Sequence, residues 1–374
     1  MNMETDVFVI GGGPAGLAAA IAARQKGFTV MLADGAEPSI DKACGEGLLP
    51  ETLAALRTLG VILNEEAGYS FRGISFVEAE SNLATDFTQG YGLGLRRPVL
   101  HAALAQHAEE CGVQLLWKTP VSGITSQGVQ VPSGLVKARW IIGADGNGSR
   151  VRRWIGLGSR RRKHRHAIRR HYGILPWSDY IEIYWGPRTQ AYITPVSKQE
   201  VCVVVMGDNP IDATFERAFA LWPQLQQRLA GAELRSRERG AISATHRLAK
   251  VTRGNVVLVG DASGTVDAIT GDGLRLSFCH ALSLADALQQ GDLAIYEHAH
   301  RQLARSPMWI GRTMIGLGRR ELLRNRVMRG LATRPRAFAT LLASHTAKLS
   351  MVAWITAGIR LGWQFLTEQS AAAD

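Results

Sequence analysis

The sequence predicts an α/β protein in three parts. A first domain, residues 1–165 with 246–300, is built on a parallel nucleotide-binding sheet. An inserted antiparallel β-sheet domain spans 166–245, and a helical segment spans 301–374. Three observations carry that prediction. In the first thirty-four residues an apolar run, a glycine turn, an alanine-rich stretch and a second apolar run follow one another. Short alternating apolar runs fill the middle of the chain. A strand, a glycine loop and a helix return near residue 255, so two distant segments can line one ligand.

Asp6-Val7-Phe8-Val9-Ile10 reads as a buried strand, and Gly11-Gly12-Gly13-Pro14-Ala15-Gly16 as its exit turn. The alanine-rich stretch to Lys26 is a helix stopped by Gly27, and Phe28 to Ala33 is a second strand ending at Asp34. Gly11, Gly13 and Gly16 stand at the G-x-G-x-x-G spacing of a dinucleotide site. Gly11 permits the tight turn, Gly13 lets backbone approach a pyrophosphate, and Gly16 lets helix and strand pack closely. Pro14 and Ala15 open the helix, whose N-terminus favours phosphate charge. Asp34 is placed to accept from a ribose 2′-OH.

Lys42-Ala43-Cys44-Gly45-Glu46-Gly47 follows, then a helix from Pro50 with Gly60 at its end. Residues 69–95 alternate as small antiparallel strands. Arg96-Arg97-Pro98 starts the next helix, which runs to Gly112. Strands follow at 113–117 and 121–124, a hairpin at 129–134, and a buried strand from Trp140 to Ala144. Asp145-Gly146-Asn147-Gly148-Ser149-Arg150 is its exit loop. A basic linker, 152–171, leads to the strands of the second sheet at 180–185, 190–195, 200–206 and 241–248, with a helix at 213–229. The chain then returns: Asn255 to Val259 is a strand, Gly260-Asp261-Ala262-Ser263-Gly264 a turn, and Thr270-Gly271-Asp272-Gly273 precedes a helix to Gln289.

The chain has 374 residues, 46% of them hydrophobic, enough for about two domains with ample cores. The first strand opens at residue 6, which leaves no room for a signal peptide, so a cytoplasmic location is expected. The four cysteines, Cys44, Cys111, Cys202 and Cys279, form no C-x-x-C, so neither a disulfide framework nor a zinc site is expected. Net charge is +11 and uneven. Residues 150–170 hold ten Lys or Arg and no acid, and residues 301–336 hold ten Arg against Glu321. No nucleic-acid motif accompanies these runs, so anionic small molecules or an anionic membrane surface explain them better than nucleic acid. His164, His166 and His171 lie in the first run and read as linker residues, and no metal is expected beside so many cations. The last seventy residues alternate apolar residues with arginines at helical spacing. Such helices form either a cap packed on the core or a basic face lying on the inner membrane surface. Leu349 to Leu366 is interrupted by Arg360 and is not read as a transmembrane helix.

With 143–150 and Gly260-Asp261 added to the opening fingerprint, the chain resembles the FAD-dependent monooxygenases of the para-hydroxybenzoate hydroxylase fold. Lys42 to Gly47 and Gly260 to Gly273 look like the geranylgeranyl reductase branch. Gly264 stands where aromatic hydroxylases usually carry histidine, and Ala268 stands where both groups usually carry proline. The W-x-W-x-I-P stretch of the halogenase branch is absent. The resemblance implies a Rossmann-type FAD-binding domain with resident FAD and NAD(P)H as a transient reductant. It places Asp261, after Gly260, at the ribityl hydroxyls, and Asp145 and Gly146 near the pyrophosphate. Arg97 falls at the ribityl and phosphate region, with Arg96 the alternative register. Val121 joins the cofactor-lining residues, and Gly271, Asp272 and Gly273 face the flavin edge. Cys44 and Gly45 form a glycine loop by the flavin, and Pro195 lies on a strand facing it, so Cys44, Pro195 and Gly271 should converge. Cys44 and Pro195 are the candidate catalytic positions, Cys44 protonating or orienting a substrate. The reaction implied first is hydroxylation of a hydrophobic aromatic or polyketide-like substrate through a flavin C4a-hydroperoxide. The second is saturation of C=C bonds of a prenyl lipid.

Overall fold

The computed structural model describes residues 3–77, 82–158 and 164–333. Nine helices occur among them: α1 (Pro14–Gln25), α2 (Pro50–Thr58), α3 (Arg97–Glu110), α4 (Arg150–Trp154), α5 (Phe215–Leu221), α6 (Pro223–Leu229), α7 (Gly273–Gln290), α8 (Leu293–Gly318) and α9 (Glu321–Ala332).

The first sheet is parallel at its centre, in the order Val256–Leu258, Gly134–Gly143, Met3–Ile10, Val30–Ala33, Gln114–Leu116. These strands are apolar on both sides because both faces are covered. Val7, Leu32, Ile142 and Val257 have no exposed surface. Helix α1 lies between the sheet and α7, where Ala18, Ala20 and Ala23 are fully buried and let the helices approach. The register fixes the site. Ile10 stands opposite both Ala33 and Gly143, and Gly143 opposite Leu258. The residues that follow each strand therefore leave the sheet at one carboxyl edge, which is where open parallel sheets hold ligands.

The second sheet runs Glu233–Leu234, His164–Gly173, Glu200–Gly207, Thr189–Ser197, Tyr180–Trp185, Gly73–Val77, Asn82–Asp86, with Arg239–Ala244 also paired to 164–173. Every pairing is antiparallel except that of 180–185 with 73–77. Two features depart from the sequence reading. Strands 73–77 and 82–86 belong to this second sheet, outside the 166–245 range expected for it. Residues 164–173 are a strand rather than a linker. Its side chains alternate, with Arg165, Ala167, Arg169 and His171 turned inward. Nothing in local composition signals that, because the inward residues are charged.

Helices α8 and α9 cover the far edge of this sheet. Met314, Leu317, Met328 and Leu331 pack with Phe76, Leu83, Ile183 and Trp185. The packed cap is thus the arrangement of the described part of the C-terminal segment. Leu349 to Leu366 lies outside the described residues.

Candidate functional site

Three loops meet at the carboxyl edge of the first sheet, and glycines set how closely. Gly11 has φ +112°, and a Cβ there would sit 2.5 Å from the Ala144 carbonyl oxygen. A Cβ on Gly16 would collide with the Gly11 carbonyl. Gly260, at φ +56°, carries the third loop to Ala15, whose Cβ would be 2.5 Å from a Cβ at 260. Gly13, by contrast, faces open space, with nothing within 4 Å of a Cβ. Pro14 begins α1, and among the described residues no side chain caps its N-terminus. The first-turn amides of Ala15 and Gly16 have no intrahelical partner and carry the positive end of the helix dipole. An open glycine beneath an uncapped helix start fits the pyrophosphate of a dinucleotide.

Asp34 is fixed by backbone. Its Oδ2 accepts from Gly12 N at 2.6 Å and its Oδ1 from Ala36 N at 2.7 Å. The chain from Trp117 wraps this acid, Thr119 N donating to Asp34 O at 2.8 Å, and buries Val121 just beyond. Two neighbours were not legible in the sequence. The Trp117 ring lies against Gly12, and His101 Nε2 is 2.9 Å from Gly12 O. Asp145 uses one oxygen to cap α4, accepting from Arg150 N at 2.6 Å and Val151 N at 3.1 Å. Gly146 follows in the left-handed region, at φ +80°. Asp261 pairs with Lys42 at 3.3 Å, which ties the third loop to the Cys44 loop. Gly271, at φ +69°, closes the turn before α7, and Gly273 begins that helix. Asp272 is buried with Arg275 at 2.6 Å.

The Gly260 turn rests on a buried aromatic stack. Ser263 Oγ donates to Gly260 O (2.7 Å) and lies 2.9 Å from His300 Nε2, and the His280 ring stacks on His300 at 4.3 Å. Neither ring nitrogen of His280 has a hydrogen-bond partner among the described residues. Burial holds both rings neutral, His300 down to about 4 and His280 well below its ordinary value. An unfolded chain protonates both below about 6.5, and the folded chain does not. Stability should therefore fall as pH drops from about 6.5 to about 4, by roughly 1.4 kcal/mol per pH unit for His300, with His280 acting in the same direction. Urea midpoints at a series of pH values test this, and a flat profile through that window would contradict it.

The second half of the site lies where the Cys44 loop meets the second sheet. Glu46 is buried at φ +57°. Its carboxylate accepts from Arg97 N (3.0 Å) and Arg169 Nη1 (3.1 Å), and faces His171 Nε2 at 2.6 Å. Arg169 also grips Asp41 with two bonds of 2.8 and 3.0 Å. Beside Arg169, the carboxyl of Asp41 is held below the usual carboxylate range. Cys44 Sγ accepts from Glu46 N at 3.4 Å and lies 4.0 Å from Arg97 Nη1. Arg96 is committed to Glu200 at 2.5 Å, so Arg97 is the arginine that turns toward Cys44. His171 corrects the linker reading of the basic run. It has no exposed side-chain surface and bridges Glu46 to Ser236, 2.7 Å from Nδ1. Ligand atoms of Glu46, His171 and Cys202 lie within 4.8 Å of one another, a spacing a metal accepts. Arg169 already supplies the cation there, so a second one is electrostatically unfavourable.

Cys44 and Pro195 are linked through Cys202. Cys202 Sγ is 3.7 Å from Cys44 O, and Cys202 pairs with Thr194 next to Pro195. Gly94, opposite Gly47 in a short strand pair, abuts the Pro195 carbonyl. For Gly271 the link is indirect. It ends the turn of Asp267, which pairs with Arg165 of the second sheet at 3.0 Å.

Fold and loops together define an α/β flavoenzyme with a second sheet laid against its cofactor edge. The chain belongs to the FAD binding domain family, whose profile matches residues 4–303, and it is an FAD-dependent oxidoreductase. It is 27% identical over 324 residues to the digeranylgeranylglycerophospholipid reductase of Methanosarcina mazei, covering 79% of this chain and 78% of that one. It is 25% identical over 336 residues to the menaquinone reductase of Mycolicibacterium smegmatis, 80% of each chain. Among solved structures, the p-nitrophenol 4-monooxygenase PnpA from Pseudomonas putida DLL-E4 superposes with a TM-score of 0.77 at 17% identity, over 94% of this chain and 100% of that one. This last likeness is one of fold.

Proposed function

We propose that the chain reduces C=C bonds of an apolar, prenyl-type substrate, with NAD(P)H as the transient reductant of its FAD. The observation that carries this reading is the Cys44 loop. It is tied at Lys42 to Asp261 on the cofactor edge, and at Gly47 it meets apolar second-sheet atoms of Ile181. Two relatives of similar length that act as reductases, on a digeranylgeranyl lipid and on menaquinone, support it. FAD supplies the electrons of such a reaction. The protein's part is to hold the substrate against an apolar wall, keep water out and provide a proton. Cys44 Sγ is the group we assign to hold that proton, and the Arg97 guanidinium supplies positive charge beside it.

The thiol also bears on hydroxylation, the reaction placed first by the sequence. A thiol at the reacting edge is useful as a proton donor, whereas next to activated oxygen it is readily oxidised. Anaerobic turnover with NADPH or NADH and a geranylgeranyl lipid should yield product heavier by one H2 per reduced bond. Product heavier by one oxygen atom, formed only in air, would establish the hydroxylase instead. Cys44→Ala should lower anaerobic turnover by roughly 10²-fold, and full turnover would remove the thiol from the mechanism.

We also propose that α8 and α9 rest on an anionic membrane surface, from which an apolar substrate is drawn. Among the described residues no helix is long and apolar enough to cross a membrane. Arg301, Arg305, Trp309 and Arg312 share one exposed face of α8, and Leu322 at the start of α9 is 82% exposed. Each basic residue near an anionic surface contributes about 1 kcal/mol. The full chain should sediment with phosphatidylserine vesicles and be released by salt. Equal sedimentation with neutral vesicles would refute the electrostatic part.

A further inference from the structure

We propose that Glu46 is a positioning residue, through which the second sheet sets the placement of Cys44 and Arg97. The inference rests on the reading of Cys44 as the proton-holding group. The backbone carries the first observation. Glu46 occupies the left-handed region between two glycines, Gly45 and Gly47, a conformation that crowds the Cβ of any residue but glycine. A turn needing only that conformation would be served better by glycine. The carboxylate explains the choice of residue. It has no exposed surface, and it joins three groups from two elements: the Arg97 amide at the start of α3, and Arg169 and His171 from strand 164–173.

Arg169 adds the second observation. Its one guanidinium, fully buried, holds Asp41 and Glu46 together. Both ends of the segment carrying Cys44 are thus stapled to the same side chain of the second sheet. Glu46 N in turn donates to Cys44 Sγ, so the backbone held by the carboxylate is the backbone that orients the thiol. Any shift of strand 164–173, as when a substrate seats on its sheet, is transmitted to Cys44 through these charged contacts. His171 is reached from the outer side by Ser236 Oγ at 2.7 Å, which fixes its ring orientation.

The experiment is peptide-resolved alkylation of the FAD-loaded full chain with N-ethylmaleimide. The internal references are Cys111 and Cys279, both partly exposed. Glu46→Gln, Glu46→Gly and His171→Gln should each change the Cys44 rate at least fivefold while the reference rates stay within twofold. Asp41→Asn, which loosens the other staple of the segment but leaves the Glu46 contacts in place, should change the Cys44 rate by less than any of these. Glu46→Asp should restore part of the wild-type rate, which a general loosening of the fold would not. Glu46→Gly relieves the backbone cost and so keeps the test open if Glu46→Gln fails to fold. An unchanged Cys44 rate in Glu46→Gly and His171→Gln overturns the proposal, whatever their turnover. A Cys44→Ala chain with full turnover refutes the catalytic reading alone, because the alkylation readout does not depend on it.

Discussion

Replacing Gly16 by valine is expected to cost the protein both its FAD and much of its stability. The added Cβ collides with the Gly11 carbonyl and lies 3.2 Å from Ala144 Cβ. Neither atom can retreat, because Gly11 N is bonded to Ala33 O at 2.9 Å and Ala144 N to Ile10 O at 2.8 Å. Forcing a branched side chain into such a contact costs about 3 kcal/mol. A similar loss in FAD affinity would be about a hundredfold. Gly13→Ala provides the contrast. Its Cβ meets no protein atom, so the urea midpoint of the FAD-free chain should be unchanged while FAD affinity falls. Equilibrium dialysis of FAD with urea unfolding of both variants tests the pair. If Gly13→Ala keeps full affinity, the pyrophosphate does not lie over that glycine.

Arg169→Ala is expected to be the most damaging change in the second sheet. The guanidinium is fully buried and pairs with Asp41 and Glu46. Its removal leaves the Glu46 carboxylate in a closed site with only His171 to balance it. Breaking one side of a buried pair costs about 3–5 kcal/mol, since the remaining charge cannot regain its water. Pairing Arg169→Met with Glu46→Gln should recover part of that loss, because apolar and neutral groups of similar volume carry no such penalty. Urea unfolding of the single and double variants decides it. An Arg169→Ala chain as stable as the parent would show that water reaches the site.

The legible part of this fold is local. The strand, glycine and helix of residues 6–33 carry their signals within a few positions, and each glycine answers a nearby steric demand. The separate loops at 143–150 and 260–273 were readable for the same reason. Their convergence follows from parallel strands whose carboxyl ends share one register. Strand 164–173 was not legible. Periodicity finds strands by apolar residues facing a core, and here the inward positions are Arg165, Arg169 and His171. Their neutralising partners Asp41, Glu46, Asp208 and Asp267 lie far away in the chain. That strands 73–77 and 82–86 join the second sheet, although the sequence reading places them within the first domain's range, was illegible for a related reason. The parallel pairing of 73–77 with 180–185 spans more than a hundred residues and leaves no local trace.

By itself the sequence determined the nucleotide fingerprint and the three loops, because backbone geometry at glycine and proline is a property of the residue, and the flavin followed from the family resemblance those motifs carry. Only the tertiary structure decided how Cys44 is held, that Arg97 rather than Arg96 faces it, and that His171 belongs to the site. Those are matters of charge pairing between distant segments. A buried charge requires a partner, and only the folded chain brings that partner within reach.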